Sequence, residues 1–171
     1  YVAAIRAAQL GMQVACVEKR ESLGGTCLNV GCIPSKVLLN ASEHYATAAG
    51  GKLAALGVDV GAVKLDLKKM MGGKDDIVTG LTTGIDFLFK KNKITRLEGT
   101  ARIDHAGEVS LVDGSDKGSY HCDRILIATG SHASSLPNVA IDEKRIVSST
   151  GAVALTMLPK KLVVIGAGYI G

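Results

Sequence analysis

The feature that most constrains the fold stands at residues 161–171, where an apolar run, KLVVI, leads directly into Gly166-Ala167-Gly168-Tyr169-Ile170-Gly171. A short apolar run bounded by glycine reads as a strand buried on both faces. The G-x-G-x-x-G spacing behind it is that of a dinucleotide-binding turn. The first glycine allows the tight turn, the second lets backbone approach a pyrophosphate, and the third packs a helix against the strand. The same spacing also occurs in glycine-rich turns that hold no ligand. The helix and acidic residue that would complete the unit do not follow within the 171 residues.

The opening residues carry the other half of such a unit. Residues 1–11 read as a helix with Val2, Ile5 and Ala8 on its apolar face, and Gly11 suits its C-terminal end. Residues 13–17 (QVACV) read as a buried strand with Glu18 directly at its end. Helices rarely begin without a cap or a preceding turn, so the chain is expected to have been cut upstream. A carboxylate about 20 residues past the glycines binds ribose hydroxyls in dinucleotide units. Glu18 would be in register with a glycine motif before Tyr1; taken alone, it also reads as a solvated strand-end carboxylate.

Between these ends the pattern changes twice. Residues 19–31 read as a loop with Gly24, Gly25 and Gly31, and Pro34 falls in the first turn of a helix running to about Ala49, ended by Gly50-Gly51. A second helix is expected over 65–91, weakened locally by Gly72, Gly73 and Gly80. Strands are expected at 94–103, 108–112 and 120–129, with Asp113-Gly114 as a turn. The last of these contains ILIAT (125–129), read as a buried strand ending at Gly130-Ser131.

Composition excludes some function classes. Net charge is +4, the lysines lie in scattered pairs (Lys68-Lys69, Lys90-Lys91, Lys160-Lys161), and aromatics are 4%, which is too sparse for a nucleic-acid surface. No apolar run approaches the ~18 residues that span a bilayer.

Four cysteines remain to be placed. Cys16 and Cys122 lie in apolar or strand-like stretches and read as inert thiols. Cys27 and Cys32 lie in Gly24-Gly25-Thr26-Cys27-Leu28-Asn29-Val30-Gly31-Cys32-Ile33-Pro34-Ser35-Lys36. In a regular helix residues five apart have Cα atoms roughly 8.6 Å apart. A disulfide tolerates less than about 7 Å, so bonding requires a loop, which Asn29 and Gly31 suit. Cys32 would sit just ahead of the helix that Pro34 opens, where the helix N-terminus and Lys36 favour a thiolate. Redox exchange is one reading of the pair. A structural disulfide, a zinc site (against which the spacing and the lack of a second ligand pair count) and two unrelated thiols are the others.

The segment GGTCLNVGCIPSK resembles the active-site signature of the pyridine nucleotide–disulfide oxidoreductases. Leu28, Ile33 and Ser35-Lys36 are most similar to the branch that oxidises dihydrolipoamide, rather than to glutathione or mercuric reductases. The resemblance extends through VEKR (17–20), LFKKNKI (88–94), ATGS (128–131), IVSSTGA (146–152) and VVIGAGYIG (163–171). It implies an α/β fold: a Rossmann-like FAD-binding domain over 1–142, with a parallel sheet and an antiparallel β-meander. A second Rossmann-like domain, for NAD, would begin at 143–171 with its first strand.

By the same resemblance, Cys27 exchanges with the dithiol substrate, Cys32 faces the flavin as the charge-transfer thiolate, and Lys36 tunes the flavin. Glu18 holds the adenosine ribose, and Lys19, Arg20, Gly24, Gly25 and Thr26 line the pyrophosphate side. Gly99, Thr100 and Ala101 meet the adenine. Thr129, Gly130 and Ser131 form another FAD-contacting turn, and Gly166, Gly168 and Gly171 begin the NAD site. The implied reaction passes electrons from protein-bound dihydrolipoamide through the cysteines and FAD to NAD+. Implied partners are the lipoyl domain of a 2-oxo acid dehydrogenase or glycine cleavage complex, the subunit-binding domain of the acyltransferase core, and a second copy in a homodimer. No metal, nucleic acid or membrane is expected. The family sits in bacterial cytoplasm or the mitochondrial matrix. Its His–Glu base lies in a C-terminal domain, so His44, His105, His121 and His132 receive no catalytic role, and the 171 residues alone are expected to be inactive. Two alternatives stay open: a glutathione- or mercuric-reductase-like enzyme, and a noncatalytic FAD-domain fragment.

Overall fold

A Schellman turn closes the first helix, α1 (Val2–Gln9). Gly11 takes φ +88°, its N–H donates to the Ala8 carbonyl at 3.0 Å, and the Met12 N–H donates to that of Ala7 at 3.2 Å. This turn delivers the chain into β1 (Ala15–Glu18). The structure, a computed structural model, describes residues 1–171. After β1 come α2 (Gly25–Val30), α3 (Cys32–Ala49), a 3-10 turn (Ala54–Leu56) and α4 (Leu67–Lys91). The strands β2 (Thr95–Glu98), β3 (Ala101–His105), β4 (Glu108–Leu111) and β5 (Gly118–His121) follow, then a short α5 (Ser149–Ala152). Two compact units form, one of Tyr1–Gly25 with Thr79–Ser131 and one of Thr26–Val78 with His132–Gly171.

In the first unit, β1 and β2 pair in parallel, Ala15 against Thr95 through Glu18 against Glu98. Parallel neighbours need a long crossover, and the chain between them supplies it. Leu23, Ile85, Phe89, Ile94, Leu97 and Leu111 are the buried apolar side chains. The C-terminal end of α4 makes a second Schellman turn, with Lys93 at φ +56° in the position glycine usually takes. The Ile94 N–H donates to the Phe89 carbonyl at 2.9 Å there, and both side chains are buried. A three-stranded antiparallel meander, β3–β4–β5, completes the unit. The α/β class and the meander agree with the sequence reading.

The expected strand over 94–103 is two strands, broken at Gly99 and Thr100. Gly99 is buried against residues 113–114, and a Cβ on Gly114 would stand 2.7 Å from the Gly99 Cα. Two glycines face each other so that two backbones can touch. Aspartates hold the crossing: Glu98 N–H donates to Asp116 Oδ2 at 2.7 Å, and Thr100 N–H donates to Asp113 Oδ1 at 2.6 Å.

Three further expectations are corrected. Residues 19–31 are not wholly loop, because α2 forms within them. ILIAT at 125–129 and KLVVI at 161–165 are not buried strands: both lack regular structure, with Leu126 73% and Val163 72% exposed. A parallel strand is held by neighbours along its edges and by helices over both faces. Here β1 and β2 pair only with each other, so neither run has a strand beside it.

The second unit carries α3, the first half of α4 and α5. Lys74, buried on α4, donates to the Val153 carbonyl at 3.1 Å and pairs with Asp75 at 2.8 Å. Before α5, Asp142 Oδ1 accepts the N–H groups of Lys144, Arg145 and Ile146, at 2.8 to 2.9 Å. Those bonds favour the carboxylate and hold its pKa below the usual range. No helix is long and apolar enough to cross a membrane.

Candidate active site

Cys27 lies in α2 and Cys32 is the first residue of α3. The two helices do not merge, because Gly31 between them takes φ −131° and ψ −113°. A Cβ at Gly31 would stand 2.9 Å from the Thr26 carbonyl oxygen and 3.3 Å from the Cys27 Cα. Glycine therefore lets Cys32 fold back over the turn that carries Cys27. Ser35 secures the break: its Oγ donates to the Gly31 carbonyl at 2.7 Å, and its N–H donates to the same oxygen at 3.1 Å. Cysteines five apart thus come together although each is helical, which regular helix geometry alone forbids.

Both cysteines are exposed thiols. The Cys27 pKa is raised, chiefly because its S–H donates to the Cys32 sulfur, with some desolvation added. The Cys32 backbone N–H and the Lys36 ammonium act against this rise and favour the Cys27 thiolate. Lys36, exposed and one turn along α3, exerts its charge on Cys27. Cys16 is half-buried and burial pushes its thiol up, in keeping with an inert side chain. A low-dielectric site penalises the thiolate that any exchange needs.

The first unit gathers a different set. Glu18 ends β1, and its carboxylate accepts the Arg20 N–H at 3.0 Å. The Gly99 N–H donates to the Glu18 carbonyl at 3.2 Å, so Gly99 stands beside Glu18, while Ala101 begins β3 opposite Leu111. Lys19 is exposed, and Gly24 and Gly25 turn the chain at φ +111° and +63°. Arg96, which the sequence reading did not single out, donates from Nη2 to the carbonyls of Arg20 and Glu21. Its Nη1 lies 3.5 Å from Asp86, and it thereby shapes the loop after Glu18. A charged residue between the apolar Ile94 and Leu97 is the only signal for it in the sequence. Thr129, Gly130 and Ser131 lie on exposed irregular backbone, as do Gly166, Gly168 and Gly171.

The sequence matches the pyridine nucleotide-disulphide oxidoreductase family across residues 1–171. The chain belongs to that family. Among curated relatives, it is 56% identical to the mitochondrial dihydrolipoyl dehydrogenase of Pisum sativum and 56% identical to dihydrolipoyl dehydrogenase 3 of Pseudomonas putida. A leghemoglobin reductase of Vigna unguiculata is 55% identical. All of this chain is covered in each case, against 34%, 37% and 33% of those proteins. The chain therefore spans about a third of the length of the curated relatives it matches. The HOCl-induced flavoprotein disulfide reductase RclA of Escherichia coli superposes with a TM-score of 0.73 at 24% identity, over 92% of this chain and 32% of that one. That likeness supports the fold.

Proposed function

We propose that this family member is a segment of a flavin-dependent dihydrolipoyl dehydrogenase in which Cys27 and Cys32 are the exchanging pair. The observation that carries this reading is the break at Gly31, which holds two exposed thiols in hydrogen-bond contact at the start of α3. In the oxidised protein the pair is a disulfide. Attack by one thiolate of a dihydrolipoyl group on Cys27 opens it and leaves a mixed disulfide with Cys32 as leaving thiol. The second substrate thiol then displaces Cys27, so lipoamide gains one S–S bond and the protein gains two thiols.

The residues present fit an FAD. Glu18 offers a carboxylate oxygen at a strand end, the Gly24-Gly25 turn has no Cβ to obstruct a pyrophosphate, and the Gly99 backbone stands beside Glu18. FAD, when bound there, would supply the acceptor for the electron pair, with NAD+ as the final acceptor of the reaction. On this reading Glu18, Lys19, Arg20, Gly24, Gly25, Thr26, Gly99, Thr100, Ala101 and the 129–131 turn bind and orient the flavin nucleotide. Cys27 and Cys32 exchange with the dithiol, and Lys36 biases their charge. Gly166, Gly168 and Gly171 belong to the NAD site, with residues 1–142 serving FAD and 143–171 opening the NAD domain. Its partners are then a lipoyl domain, a subunit-binding domain and a second copy of the protein. A bacterial cytoplasm or mitochondrial matrix accords with the sources of its relatives.

An anaerobic visible spectrum before and after addition of FAD and dihydrolipoamide tests the reading. Flavin absorbance that stays with the protein through gel filtration, together with new long-wavelength absorbance on reduction, is the expected result. Failure to hold added FAD, or retention without any response to the dithiol, sinks it.

A further inference from the structure

The parallel pairing of β1 and β2 ends at Glu18 against Glu98, and the Gly99 N–H makes one further bond, to the Glu18 carbonyl. Past Glu18 the sheet no longer holds the chain. Arg96 does so from β2. Its Nη2 donates to the Arg20 carbonyl at 3.3 Å and to the Glu21 carbonyl, and its Nη1 lies 3.5 Å from Asp86 Oδ1 on α4. One half-buried guanidinium therefore ties the loop after β1 to both β2 and α4.

The tie reaches the Glu18 side chain in one more step. Arg20 is held on both sides of its backbone. Its carbonyl accepts from Arg96, and its N–H donates to Glu18 Oε1 at 3.0 Å. Arg96 thus fixes the residue that fixes the Glu18 carboxylate. Arginine suits this place because its planar fork offers several donors at set angles, enough for two carbonyls and a carboxylate at once. A lysine ammonium is one nitrogen and does not span the three acceptors.

We propose that Arg96 is a positioning residue for FAD, acting through Arg20 and Glu21 to hold the Glu18 carboxylate in place before the ribose arrives. This role rests on the FAD reading given above and adds to it a residue from β2. A carboxylate and loop already ordered lose little freedom when a ligand binds, so affinity rises without any new contact to the ligand. Asp86 orients the guanidinium from the side away from the loop.

Two measurements on the purified FAD-free protein test this. The first is limited trypsin digestion read by mass spectrometry. Arg96→Met keeps the apolar stem and removes the donors. It is expected to speed cleavage after Lys19 and Arg20 about fivefold or more, relative to cleavage after the exposed Lys52, because the loop opens locally. The second is FAD titration by flavin fluorescence. Arg96→Met is expected to weaken FAD binding about tenfold, the scale of one or two lost hydrogen bonds to a charged group. In a Glu18→Ala background the same substitution is expected to weaken it about threefold or less, since the carboxylate it positions is gone. Circular dichroism checks that each variant folds; should Arg96→Met not fold, Arg96→Lys keeps the charge, lacks the fork and is expected to shift both readouts in the same direction. Unchanged cleavage, unchanged FAD affinity, or an equal loss with and without Glu18 overturns the proposal while the FAD reading stands. A wild-type protein that binds no added FAD overturns both.

Discussion

Gly31 and Cys32 show how much a single position decides. The cysteine spacing was legible, and so was the need to escape a regular helix. That the escape is one glycine between two helices was not, because α2 is six residues long and leaves no periodic signal. The coupling of Cys27 to Cys32 follows from the same break, and it gives a residue-scale prediction. Replacing Cys32 with alanine removes the leading cause of the raised Cys27 pKa while leaving the Cys32 N–H and Lys36 in place. More Cys27 is then thiolate at any given pH, so iodoacetamide alkylation is expected to be faster at pH 7 and its pH–rate midpoint to move down. An unchanged or raised midpoint contradicts the assignment. The same reasoning fits the proposed role, since Cys27 must ionise or be attacked as a disulfide to exchange.

At the scale of elements, α1, α3 and α4 follow the sequence closely. Their ends carry glycine or a left-handed residue, as at Gly11, whose N–H closes the last turn of α1, and at Gly51, which takes φ +71° just after α3. The β2–β3 passage did not, because the residues that break it are 14 and 15 positions away, at Asp113 and Gly114. Asp113-Gly114 was read as a turn, and it also receives the backbone of Gly99. A Cβ at Gly114 would stand 2.8 Å from the Glu98 carbonyl carbon in a backbone of φ +84°. Gly114→Ala is therefore expected to destabilise the fold by about 2–3 kcal/mol, through overpacking and left-handed strain together. Urea unfolding measures this; a loss below about 0.5 kcal/mol, the range of ordinary surface substitutions, rules out the close crossing. Because Gly99 stands beside Glu18, the same substitution is also expected to lower FAD retention.

For the whole molecule, the exposed apolar segments matter most. Leu126, Ile127, Leu162, Val163, Val164 and Ile165 lie 59–76% exposed on backbone with no strand beside it. The 171-residue protein is expected to bind the dye ANS in the folded state, and Val163→Lys with Ile165→Lys to reduce that fluorescence; bright fluorescence unchanged by the pair of substitutions locates the apolar surface elsewhere. These segments also mark the limit of sequence reasoning here. By itself the sequence determined the α/β class, the long helices, the meander, the cysteine pair and the carboxylate at the end of β1, since periodicity, glycine punctuation and motif spacing are local properties of the chain. Tertiary structure alone decided which apolar runs become strands, where β2 breaks, and that His105, Glu108 and His121 share one face. A strand exists only when another strand accepts its hydrogen bonds, and residues distant along the chain meet only when backbone approach permits it; neither condition is written in any one stretch of residues.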